Sequence, residues 1–170
     1  MTPSGLDLGP PPQLGYTASR INRAAGLRGD EAALRRFTDD PRAGFYLIGG
    51  ELVVLKKAAE SFDPLFAPEV AGAVGSAREI VFLGLLDDVP RFGINLDPAS
   101  VEPLKARDDL KITDLRTIAM QGLVAAEHLP PLAEAKALLN WHARHRFCPT
   151  CGTPTRVTEG TMPRRRWRMA

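Results

Sequence analysis

The stretch Phe45-Tyr46-Leu47-Ile48-Gly49-Gly50-Glu51-Leu52-Val53-Val54-Leu55 sets two runs of β-branched, aromatic and aliphatic residues on either side of a glycine pair. Such runs favour pleated, half-buried backbone, and glycine tolerates the positive φ angles that a two-residue hairpin turn demands. The segment reads as a β-hairpin turning at Gly49-Gly50. A second pair lies downstream: Glu79-Ile80-Val81-Phe82-Leu83-Gly84-Leu85-Leu86, the turn-forming Asp87-Asp88, then Arg91-Phe92-Gly93-Ile94-Asn95-Leu96. The first of these runs is apolar for most of its length, which predicts a central strand covered on both faces.

Working outward, Asp30 is placed to cap a short helix that carries Leu34 and Phe37 on one face and ends at Pro41. Between the hairpins, the Ala/Gly-rich run FAPEVAGAVGSA reads as a loop or a weak helical turn. After Pro103 the apolar spacing changes to a period of 3.6. Thr113 or Asp114 can cap a helix carrying Leu115, Ile118, Ala119 and Leu123, and Pro130-Pro131 opens a second helix with Leu132, Ala135, Leu138, Leu139 and His142 at helical spacing. The first sixteen residues, rich in Pro and Gly, read as an extended arm. The expected class is α+β: an antiparallel, hairpin-rich N-terminal domain followed by a helical pair.

Composition limits what this fold can be. With 170 residues, 44% of them hydrophobic, 25% charged and only 2 Cys, collagen-like, disordered and disulfide-dense classes are excluded. The length suits one core plus a small appendage and falls short of a full two-domain enzyme. No run approaches the ~20 apolar residues of a membrane span, and the N-terminus lacks a basic and apolar leader, so a cytoplasmic protein without a membrane partner is expected. Charge is uneven: through Asn140 acids outnumber bases, whereas from Trp141 onward seven Arg face Glu159 alone. Arginines beside Trp167 raise nucleic-acid contact as one reading and a solvated terminus as the other.

One local motif has a defined chemical purpose, Cys148-Pro149-Thr150-Cys151-Gly152. Two thiolates two residues apart, followed by Gly, form a knuckle that lets both sulfurs reach one tetrahedral metal. A complete structural zinc site takes four ligands, so Cys148 and Cys151 make half of one, and a pair of ordinary reduced thiols stands as the alternative. A redox dithiol fits less well, because such pairs follow a strand rather than a helix. His142 and His145 precede the cysteines, but on a continuing helix the knuckle would have to double back to meet them. The simpler reading packs His142 beneath the helix, leaves His145 in solvent and puts His128 in a loop. No nucleophile elbow, P-loop, His-Glu-x-x-His or dinucleotide fingerprint occurs. The pairs Asp39-Asp40, Asp87-Asp88 and Asp108-Asp109 read as turn or helix-start residues.

The runs Asp114-Leu115-Arg116-Thr117-Ile118-Ala119 and Ala133 through Thr155, with Trp141-His142 and Phe147-Cys148-Pro149-Thr150-Cys151-Gly152, resemble the middle of bacterial NADH pyrophosphatases of the Nudix superfamily. The likeness covers about residues 20 to 160. It implies an NADH pyrophosphatase-like N-terminal domain over 17–140, the first half of a zinc ribbon over 141–160 and an atypical Arg-rich end over 161–170. It also implies structural zinc on Cys148 and Cys151, magnesium or manganese on a separate catalytic Nudix domain, NAD(H) or NAD-capped RNA as substrate, and homodimeric subunits.

Arg78-Glu79-Ile80 is the nearest echo of the metal-binding Nudix helix, yet it lacks the following glutamates and sits in an expected strand. No catalytic or cofactor-binding residue is therefore assigned within the chain. Trp167-Arg168-Met169-Ala170, read one base later, encodes Gly, then one of four residues, then Trp, which approximates the family's Gly-Gly-Trp. The resulting expectation is a chain truncated or frameshifted near residue 160 and inactive alone. The alternative is a non-catalytic dimerisation or zinc/nucleotide-binding module.

Overall fold

Gly44–Gly49 (β1) and Leu52–Lys57 (β2) form the expected hairpin, but the register Leu47↔Val54, Ile48↔Val53 and Gly49↔Leu52 moves its turn one residue on, to Gly50-Glu51. Gly50 supplies the positive φ, 61°. Gly49 stays in the strand, where a Cβ would collide with the Val101 side chain. The computed structural model describes residues 16, 18–74, 77–155 and 161–162. The expected arm over 1–16 lies outside the described residues except for Tyr16, and so does the Arg-rich end beyond Met162.

Asp30 caps α1 (Glu31–Thr38) by accepting from the amides of Ala32 and Ala33 at 2.8 and 3.0 Å. Those two donors would otherwise be orphaned in the first turn. Two short strands follow the first hairpin, β3 (Phe62–Asp63) and β4 (Leu65–Phe66), and then the Ala/Gly-rich run forms α2 (Pro68–Val74). The second hairpin is β5 (Ala77–Leu86) with β6 (Val89–Leu96), joined through Asp87-Asp88 as expected. Both aspartates have positive φ, 50° and 59°, the combination that matches the right-handed twist of paired strands.

The stretch after Pro103 departs from the sequence reading. Following α3 (Pro98–Val101), residues Pro103–Ala106 make only a 3₁₀ turn, and Leu110–Asp114 is a strand, β7. Leu110 and Ile112 alternate with Lys111 and Thr113, and β7 pairs with β2 over five positions from Leu52↔Asp114 to Lys56↔Leu110. The free edge of β2 overrides the local helical spacing. Asp114, rather than Thr113, caps α4 (Leu115–Gln121), accepting from the Thr117 amide and hydroxyl at 3.0 and 2.7 Å. Gly122, at φ 60°, ends that helix before Leu123. Then α5 (Leu129–Arg144) opens on Pro130-Pro131, and β8 (Thr161–Met162) returns to pair with β5.

All the strands belong to one sheet, in the order β3-β2-β1-β6-β5-β8, with β4 also on β1 and β7 on β2. The class is α+β as expected, yet the two hairpins are joined by a parallel pairing of β1 with β6, from Gly44↔Arg91 to Ile48↔Asn95. Every residue of β1 is buried, so the sheet is covered on both faces. Phe45, Leu47, Phe82, Phe92 and Ile94 pack under α1, α2 and α3 through Leu34, Ala71 and Val101. Tyr46, Ile48, Val53, Val81 and Leu83 pack under α4 and α5 through Ile118, Leu132, Ala135 and Leu139. Among the described residues no helix is long and apolar enough to cross a membrane.

Candidate metal centre

Helix α5 lies on the sheet through Leu132, Ala135 and Leu139, which fixes where its C-terminal end emerges. At that end His145 leaves helical geometry while its amide still bonds to the Trp141 carbonyl at 2.9 Å. The chain then doubles back over ten residues. The Thr155 amide donates to the Arg146 carbonyl at 2.9 Å, and Phe147 bridges to Pro154. Inside this small loop the Cys148 amide donates to the Thr153 carbonyl at 2.8 Å, and the Gly152 amide donates to the Cys148 carbonyl at 2.9 Å. Gly152 has φ 72°, a left-handed conformation that a side chain would strain.

This turn brings together the two residues the motif singled out. Cys148 is half-buried, Cys151 is exposed, and both are free thiols. The Cys151 thiol donates to the Thr153 hydroxyl at 3.2 Å. Donation to the ionised sulfur by that hydroxyl, then by the Thr153 amide and the Cys148 thiol, holds the Cys151 thiol below its ordinary pKa, which favours the thiolate that soft metals bind. Among the described residues no group of three or more His, Cys, Asp or Glu could hold a metal, so the knuckle presents its two thiols without a third ligand beside them.

The histidines are committed elsewhere. His142 Nδ1 lies 2.7 Å from Glu79 Oε1, with the imidazole 9% and the carboxylate 19% exposed, so His142 packs beneath the helix as expected and ties α5 to β5. His145 is exposed, and its Nδ1 lies 2.8 Å from the Trp141 carbonyl. The echo of the Nudix helix is likewise spent on structure: Arg78 and Asp97 form a salt bridge at 2.9 Å while Glu79 holds His142. Glu79→Leu is expected to lower stability by about 1–3 kcal/mol, because the partly buried imidazole loses its acceptor. A fall in the urea midpoint, with amide protection lost first in the last turn of α5, checks this.

His128 differs from the loop residue the sequence suggested. It closes a 3₁₀ turn, Ala126–His128, and its Nδ1 lies 3.1 Å from the hydroxyl of the fully buried Tyr46. The partners are 82 residues apart, so no local motif could reveal them. Burial holds the His128 pKa below its ordinary value, and burial raises that of Tyr46 above its own. With the folded pKa lowered, stability is complete above the unfolded value of about 6.5 and declines as pH falls through the folded one. His128→Gln is expected to flatten the fall in the urea midpoint below about pH 6.5, read against the native chain.

The acidic pairs behave as turn chemistry. Asp40 accepts from the Arg42 amide and guanidinium, Asp87-Asp88 forms the second hairpin turn, and Asp109 pairs with Arg107 at 2.6 Å.

The fold is thus a mixed sheet held between two helical layers, with a cysteine knuckle following the last core helix. The chain belongs to the NUDIX-like family: the model of the NADH pyrophosphatase-like rudimentary NUDIX domain matches residues 29–141. That match runs from just before the Asp30 cap to Trp141 and stops ahead of the knuckle. The chain is 30% identical over 69 residues to the NAD-capped RNA hydrolase NUDT12 of Homo sapiens, a stretch covering 41% of this chain and 15% of the human protein. The protein of the same name from Macaca fascicularis is also 30% identical, and that from Pongo abelii 29%, each over 69 residues and with the same coverage. The match therefore spans about a seventh of the length of these relatives.

Proposed function

We propose that this chain is the rudimentary NUDIX portion of an NADH pyrophosphatase-type hydrolase, whose substrate is NAD(H) or NAD-capped RNA and whose reaction cleaves the diphosphate to nicotinamide mononucleotide and AMP or, from capped RNA, to nicotinamide mononucleotide and 5′-monophosphate RNA. The family match over residues 29–141 carries this reading, and the name of the human relative supports the substrate class. Diphosphate cleavage calls for grouped carboxylates that hold divalent metal against the phosphates and the attacking water. The described residues contain no such group, and Glu79 is bound to His142. In this reading the chain's part is architectural, and a catalytic Nudix domain working with it performs the hydrolysis.

The donor set of the knuckle suits two corners of a tetrahedral zinc site. Zinc bound there would cross-link the turn and stiffen the end of α5. Cys148 and Cys151 are the residues that would hold it, the Thr153 hydroxyl and amide keep the Cys151 sulfur ready to ionise, and Gly152 lets the turn close. Two measurements on the purified 170-residue chain test the proposal. Incubated with NADH and magnesium or manganese, it is expected to release no nicotinamide mononucleotide, and release that EDTA abolishes would overturn the architectural role. The native chain is expected to carry zinc and the Cys148→Ser/Cys151→Ser double variant none; zinc retained by the double variant would overturn the assignment of ligands.

A further inference from the structure

The surface beside the knuckle has a chemistry that the fold does not use. Trp141, near the end of α5, is 53% exposed, and Phe147, just before Cys148, is 60% exposed. His145, one helical turn after Trp141, stacks on the indole with ring centroids 4.6 Å apart and planes 18° from parallel. The bond between His145 Nδ1 and the Trp141 carbonyl holds that stack in place. Neither large ring packs into the core clusters of the sheet.

Arg144 and Arg146 alternate with these rings and are exposed. Among the described residues neither forms an ion pair within 4.0 Å; the nearby acid Glu51 is bonded to Lys136 at 2.6 Å. The other acid near this end of α5, Glu79, is held by His142 at 2.7 Å, so among the described residues Arg144 and Arg146 keep their charge for a partner. Open aromatic faces interleaved with unpaired guanidinium groups are what a single-stranded nucleic acid requires. Every base has a π-face to stack, and every linkage has a phosphate to neutralise. An acidic peptide would satisfy the arginines and leave the rings in water.

We propose that the Trp141–His145 stack, with Phe147, Arg144 and Arg146, is a binding surface for single-stranded RNA, whose bases stack on the rings while its phosphates lie against the guanidinium groups. The inference rests on the NAD-capped RNA reading of the substrate and assigns where the RNA body would run. Its test is independent of that reading, because it uses uncapped RNA and reads no hydrolysis.

Fluorescence anisotropy of a labelled single strand of about 12 nucleotides is measured with the full chain, from about 50 to 300 mM salt. Saturable binding is expected. Trp141→Ala should weaken it about 5-fold or more, and Trp141→Phe should restore most of the loss. Arg144→Gln/Arg146→Gln should reduce the slope of log affinity on log salt by about 1. Trp141 is exposed, so its variants should melt like the native chain, and the Phe variant keeps the test readable if the Ala variant does not. Absent binding overturns the proposal. So does binding insensitive to both Trp141 variants, equal affinity for duplex RNA, or equal competition by a poly-glutamate peptide, which would identify an acidic protein or a generic polyanion as the occupant.

Discussion

Phe92→Ala is expected to lower the unfolding free energy by about 3–5 kcal/mol, the cost of truncating a buried ring and leaving its cavity behind. Phe92 is fully buried in β6, with its ring 5.1 Å from Phe45 and 5.4 Å from Phe82. Phe37 of α1 stacks in turn on Phe82 at 5.3 Å. The four rings form a row linking α1, β5, β6 and β1. Phe45 and Phe92 are also register partners in the parallel pairing that joins the two hairpins. The cavity would therefore open at the seam of the fold, where strands on both sides limit collapse. Against a typical total of about 5–15 kcal/mol the loss is large. Urea denaturation should show a lower midpoint at unchanged slope, and a midpoint that did not move would mean that the seam carries little of the stability.

Gly84→Ala is expected to cost about 2–4 kcal/mol, from backbone strain and overpacking together. Gly84 sits at a register shift in β5 with φ 144°, which L side chains rarely adopt. A Cβ there would also collide with the Asn22 carbonyl and the Ile21 side chain. Asn22 and Leu85 exchange two backbone hydrogen bonds of 2.8 Å, Arg28 donates to the Leu83 carbonyl at 2.8 Å, and Ile21 is buried against β5. The substitution should therefore detach the segment around residues 20–28 from the sheet as well as weaken it. Trypsin cleavage after Arg20 or Arg23 should accelerate by more than the change in global stability accounts for. Cleavage that merely tracked the urea midpoint would show that the strain is absorbed within β5.

The elements legible in the sequence were those specified by residues close to one another. Asp30 and Asp114 signal helix starts because a carboxylate three residues ahead of an amide can cap it. Asp87-Asp88 signals a turn between two apolar runs, and the Cys-Pro-Thr-Cys-Gly spacing sets two thiols in one turn. The first hairpin was legible in kind and misplaced by one residue. Either glycine could take the positive φ; Gly50 takes it, while Gly49 serves the strand, where Val101, about fifty residues away, leaves no room for a Cβ. Strand β7 is not legible ahead of the Thr113 or Asp114 cap because Leu110 to Thr113 is too short to show its alternation against the helix that follows.

Nothing local marks the pairs that position the site. Glu79 and His142 are 63 residues apart, and Tyr46 and His128 are 82, so in sequence each looked like a residue without a partner. The α+β class, the caps, the turns and the cysteine knuckle follow from the sequence, since each depends on backbone propensity and contacts within a few residues. The parallel seam between β1 and β6, the clamp of α5 onto β5 and the exposure of Trp141 and Phe147 beside the exposed Arg144 and Arg146 were decided by the tertiary structure. They depend on which apolar face each hairpin and helix buries against the others, and that competition is settled only when the whole core packs.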